Sequence, residues 1–96
     1  MPEYIRVAEF EADEAAIDNL VRVISEADGP PEGVPGKSIL VAANRSSGKL
    51  RTVVRFGSED DLRKGSEVLD AMSPPEDLNM RRVSVEEFEV VLERQT

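Results

Sequence analysis

The chain contains no cysteine, no histidine and no tryptophan. Without cysteine there is no disulfide framework and no thiolate metal site. Without histidine the commonest general base, metal ligand and haem ligand are all missing. Positive charge is short as well, with 12 Lys and Arg against 20 Asp and Glu and a net charge of −8. A surface this acidic repels phosphate, so neither nucleic acid nor an anionic membrane is an expected partner. Aromatic residues number four, three Phe and one Tyr, too few for the exposed base-stacking strands of an RNA-recognition fold. No run approaches the roughly 20 apolar residues of a membrane span. The opening MPEYIRV has no basic or apolar signal region. A soluble, cytoplasmic protein is expected.

What is present is an order of elements. The 96 residues are expected to make one domain, residues 1–96, with a modest core. Residues 4–11 are dense in β-branched and aromatic side chains and read as a strand. Asp13 is a candidate N-cap, after which Ile17, Leu20, Val21 and Ile24 recur at helical spacing over residues 13–27. Gly29, Pro30 and Pro31 stop that helix. Residues 38–45 and 49–56 flank Ser46-Ser47-Gly48, a hairpin signal. Ser58 and Asp61 make a near capping box for a second helix over residues 59–72. Its predicted buried stripe is Leu62, Ser66, Leu69 and Met72, with Gly65 and Val68 alongside. Ser73-Pro74-Pro75 ends it. Residues 81–85 and 88–92 both alternate, but out of phase across Glu86-Glu87, which predicts a last strand over 81–93 with a bulge or bend there.

The order is β-α-β-β-α-β, and the fold class expected is α+β. It is a ferredoxin-like subunit with a four-stranded antiparallel sheet and two helices on one face. The other face would ordinarily be polar. Here Leu40 and Ala42 oppose Ile39 and Val41, Val53 opposes Val54 and Phe56, and Ile5 and Val7 oppose Ala8 and Phe10. Both faces carry apolar side chains. A bare face of that kind exceeds what a monomer usually shows. Hiding about 400 Å² per subunit is worth roughly 10 kcal/mol before association costs. A face-to-face homodimer with two-fold symmetry is the simplest answer.

Three segments carry a family resemblance: Val34-Pro35-Gly36-Lys37-Ser38, Asn44-Arg45-Ser46, and Phe56-Gly57-Ser58-Glu59-Asp60-Asp61-Leu62. They resemble the Pro-Gly approach to the second strand, the Arg-Ser turn and the aromatic-x-[SD]-E-x-x-L strand-to-helix junction of the antibiotic-biosynthesis-monooxygenase-like group. That group belongs to the dimeric α+β barrel superfamily. The resemblance spans most of the chain. It implies a homodimer with its sheets packed together and a cleft between sheet and helices in each subunit. The group includes cofactor-independent oxygenases, haem-degrading enzymes, isomerases and proteins without known activity. Many members have tryptophan where Phe56 stands and histidine where Gly65 stands. Those departures argue against haem chemistry, and no cofactor is expected.

Two readings of function follow. In one, the chain is a small-molecule-binding or purely structural dimer without catalysis, with a small aromatic compound as the candidate ligand. In the other, it is a cofactor-independent monooxygenase or related enzyme acting on a phenolic or polyketide-like compound. Arg51 or Arg55 would hold the substrate anion, and Asn44 or Tyr4 would hydrogen-bond it. The same residues have plainer roles: arginines ion-paired to glutamates, Asn44 closing a turn, Tyr4 as a polar-tipped core residue. The expected cleft lies against the second helix, with Gly65 leaving room, Phe56 forming a wall, Leu69 and Met72 on the helix side, and residues 73–80 as a flap. Gly65 has a plainer reading too, as the point where helix and sheet pack closest. An ACT-type module, binding a small effector at a subunit interface, shares the same element order.

Overall fold

The computed structural model describes residues 2–27, 29, 33–72 and 80–95. The elements run β1 (Tyr4–Ala12), α1 (Glu14–Glu26), β2 (Gly36–Asn44), β3 (Lys49–Phe56), α2 (Glu59–Ala71) and β4 (Met80–Glu89). The strands form an antiparallel four-stranded sheet in the order β2-β3-β1-β4. This is the ferredoxin-like α+β arrangement. Pro30 and Pro31, the expected stop of α1, and residues 73–79 of the expected flap lie outside the described residues.

Local chemistry sets the helix starts. Asp13 Oδ1 accepts a hydrogen bond from the Ala16 backbone N–H at 2.8 Å, and Ser58 Oγ accepts one from the Asp61 N–H at 3.1 Å. Each side chain satisfies a donor that the first helical turn leaves free. Acidic residues in the first turns, Glu14 in α1 and Glu59, Asp60 and Asp61 in α2, complement the positive helix ends. Between β2 and β3, Asn44 Oδ1 accepts from Ser47 N–H at 3.3 Å and Ser46 Oγ–H at 2.9 Å. Gly48 closes that turn with φ +68, a conformation that favours glycine.

Period-two alternation divides the sheet residues between two faces. Tyr4, Arg6, Ala8, Phe10 and Ala12 of β1 share the helix side with Leu50, Thr52, Val54 and Phe56 of β3. The core beneath the helices is in two parts. Ala12, Ala16, Ile17 and Leu50 pack under α1, joined by Phe10, Leu20, Val41 and Met80. Val34, Val54, Phe56 and Leu62 pack under α2, joined by Tyr4, Val68 and Leu69.

Two expectations need correction. Met72 is not in the buried stripe of α2: it is 48% exposed. The helix ends at Ala71 and Met72 is its extended C-cap, so helical spacing no longer governs where its side chain points. The irregularity in β4 is not at Glu86-Glu87. It falls between Arg82 and Ser84, where Val83 is the extra residue opposite the Glu9/Phe10 step of β1. Val85 and Phe88 differ in phase because they lie on opposite faces, paired with Ala8 and Ile5. Both faces are apolar, so that change of phase needs no slip.

Candidate functional site

The eight residues singled out from the sequence do not converge. Tyr4, Phe56, Gly65 and Leu69 gather on the helix side, in the cluster under α2. The Tyr4 hydroxyl lies 3.5 Å from Glu59 Oε2. Burial raises its pKa above the ordinary phenol value, and the charges of Glu59 and Glu89 add to this. Arg51 and Arg55 point to the other face, away from the helices. Arg51 Nε donates to Glu9 Oε1 at 2.9 Å. Arg55 is held by Glu3 and by both oxygens of Glu93, one of them at 2.8 Å from Nη2. Within the chain neither arginine can share a cleft with Tyr4 and Phe56. Asn44 is at the far hairpin, in its turn.

The space Gly65 leaves is already taken. A Cβ there would stand 2.7 Å from Phe56 Cζ and 3.4 Å from Val34 Cγ1. Phe56 itself has no exposed surface. Gly65 is thus the point where α2 packs closest to the sheet.

A second cluster, which sequence reasoning missed, lies beside it between α2, β1 and β4. Arg6 is only 4% exposed, a charged residue on the core side of the central strand. Its Nη2 donates to Asp70 Oδ1 at 2.6 Å. Its Nε–H is buried and has no hydrogen-bond partner. Glu87 stands opposite Arg6 in the β1–β4 register, and Ser66 Oγ–H donates to Glu87 Oε2 at 2.6 Å. Arg82 donates to the carbonyls of Leu69 and Asp70, both at 3.3 Å, neutralising the carbonyl end of α2. The signal was in the alternation: Arg6 shares a side with Tyr4, Ala8 and Phe10. Its charge concealed it, since arginine is rarely buried unless paired. Chemically the cluster offers an unmet cationic donor beside two carboxylates, both on exposed residues.

The open face of the sheet is the other feature. Ile5, Val7 and Val53 are half-buried at its centre, with Leu40 (61% exposed) and Phe88 (44%) beside them. Cross-strand ion pairs frame this band: Glu9 with Arg51, Glu11 with Arg81, Glu3 with Arg55. Among the described residues no helix is long and apolar enough to cross a membrane, and no group of three or more acidic side chains is placed to hold a metal. Comparison with models of known protein families found no match, and comparison with curated proteins found none either.

Proposed function

We propose that this chain is a small-molecule-binding protein that works as a homodimer, with its ligand held between α2 and the sheet at Arg6. The buried Arg6 Nε–H carries the reading. A buried donor left without a partner costs on the order of 1–3 kcal/mol, and more on a charged group. Native structures keep few such groups, and each calls for an explanation. A compound presenting an oxygen acceptor to Nε would recover that cost on binding. Glu87 and Asp70 could receive a donor from the same compound. The dimer is supported by the apolar band of the open face, which a second copy of the same face would cover.

The test is a thermal-denaturation screen against small aromatic compounds with carbonyl, carboxylate or hydroxyl groups, run on the wild type and on Arg6→Met. The expected result is stabilisation of the wild type that is absent in the variant. Ligands that stabilise both equally, or a panel that stabilises neither, would refute the Arg6 site. Light scattering tests the assembly: a dimer mass for the wild type is expected, and a shift toward single chains for Val53→Asp. A wild type that stays at single-chain mass at micromolar concentration ends the dimer reading.

A further inference from the structure

The two edges of the sheet are built differently. β4 carries Arg81, Arg82, Glu86, Glu87 and Glu89, and Val83 bulges from its register. Charge and bulges are the devices that keep an edge strand from pairing with another chain. The middle of β2 has neither. Residues 38–44 read SILVAAN, without charge or proline, and the one register shift of β2 lies at its start, between Gly36 and Ser38. Its outer side has no strand beside it among the described residues. Ile39 is 47% exposed and Leu40 61%. They lie on opposite faces, since they pair with Val54 and Val53. A copy stacked on the open face would cover Leu40 and leave Ile39 and the strand edge bare.

We propose that β2 pairs antiparallel with β2 of a second copy about a two-fold axis at Val41, joining two sheets edge to edge. The sequence around Val41 fits its own reverse. Leu40 meets Ala42 and Ile39 meets Ala43, so large stands opposite small on each face. Ser38 meets Asn44, two hydrogen-bonding side chains. Lys37 meets Arg45, and each brings its own acid: Glu3 on Lys37, and Asp18 at 2.8 Å on Arg45. The acid beside each of these two cations therefore offsets their repulsion at each end. The outward N–H and C=O groups of β2 gain the partners an edge strand lacks. This contact uses the edge of the sheet, and the face-to-face contact uses its open side.

Because the chain has no cysteine, introduced thiols report single positions. Val41→Cys is oxidised with copper–phenanthroline, two thiols giving up two electrons to copper(II) to form one disulfide. Opposed Cα atoms in an antiparallel pair lie about 4.5–5.5 Å apart, inside the roughly 4.4–6.8 Å a disulfide spans. The expected result is a doubling of chain mass on a non-reducing gel, reversed by dithiothreitol. Val41 packs partly against the core, so a second measurement uses exposed positions. Leu40→Cys and Ala42→Cys chains are expected to crosslink when mixed, and more than either does alone. Both measurements are repeated in a Val53→Asp background, where crosslinking is expected to persist. Loss of crosslinking there would make the edge contact a by-product of the face contact and overturn the proposal. A folded Val41→Cys that keeps its single-chain mass would overturn it, as would a mixed pair no more crosslinked than its components. Should Val41→Cys not fold, the mixed pair alone decides.

Discussion

Gly65→Ala sets two magnitudes of opposite sign against each other. In a helix interior alanine is favoured over glycine by about 1 kcal/mol. Against this stands the space. The new Cβ would be 2.7 Å from Phe56 Cζ and closer still to Cε1, where real Cβ contacts essentially never fall below 3.0 Å. The ring cannot simply move away, because it is fully buried and walled by Val34, Val54 and Leu62. Overpacking of this kind costs about 1–3 kcal/mol, and a pinned neighbour puts the cost in the upper part of that range. The net expectation is a loss of about 1–2 kcal/mol, read as a lower urea midpoint with an unchanged slope and a fall in Tm of roughly 4 °C or more. Phe56→Leu removes the ring edge that the Cβ strikes. The double variant is therefore expected to be more stable than the sum of the single losses, by about 0.5 kcal/mol or more. Gly65→Leu is expected to unfold the protein instead of selectively blocking a ligand. A Gly65→Ala protein as stable as wild type, or more so, would refute the reasoning and show that the layer beneath α2 has room.

Arg6→Met is expected to change the stability of the ligand-free protein by no more than about 1 kcal/mol. The lost ion pair is with Asp70, whose side chain is 59% exposed and screened, and the variant also removes an unmet buried donor; a loss above about 3 kcal/mol, typical of a broken buried pair, would count against this. The Glu3 carboxyl lies below its ordinary range through Lys37 first and Arg55 next, and the Glu93 carboxyl through Arg55. A lowered folded-state value means that stability from these groups is present above the unfolded-chain value and is lost as pH falls through the folded one. Carboxyl-carbon NMR should show both protonating later than ordinary carboxyls as pH falls, and Arg55→Gln should raise Glu93 more than Glu3, which keeps Lys37; unchanged titrations would sink the assignment. Tyr4, the one tyrosine, is expected to ionise above about 10, so its contribution holds below that value and is lost as pH rises through the higher folded one. Ultraviolet titration reads this directly, and ionisation at or below the ordinary value would contradict the burial given for it.

The fold was legible because local signals agreed with one another. Residues 49–56 were expected as a strand, and β3 runs Lys49–Phe56. Residues 59–72 were expected as a helix, and α2 runs Glu59–Ala71. Ser58 and Asp13 cap as their positions suggested. The site was less legible, for a physical reason. Alternation sorts residues into two sets along a strand, but residue chemistry alone does not say which set meets the helices. Arginines on β3 looked like ligand-holding groups, and they turned out to face away from α2. The arginine on β1 lies beneath the helix, where a charge is least expected. Gly65 could be read as room or as contact from sequence, and only the position of the Phe56 ring decides between them.

The distribution of charge links these features. The chain carries an excess of eight negative charges, so copies of it repel one another at long range. Association then requires a surface where the excess is locally cancelled. On the open face Arg51 and Arg81 stand against Glu9 and Glu11 of β1, and Arg55 against Glu93. At the ends of β2, Lys37 and Arg45 cancel Glu3 and Asp18. By contrast α2 opens with Glu59, Asp60 and Asp61, and Arg63 pairs with the first two of them. The helix side thus keeps its acidic excess at that end, while the sheet's open face and β2 edge are close to neutral and apolar between their ion pairs. Under the proposed assembly, copies would meet where charge is cancelled and stay apart where it is not, and the few cations are divided in that way.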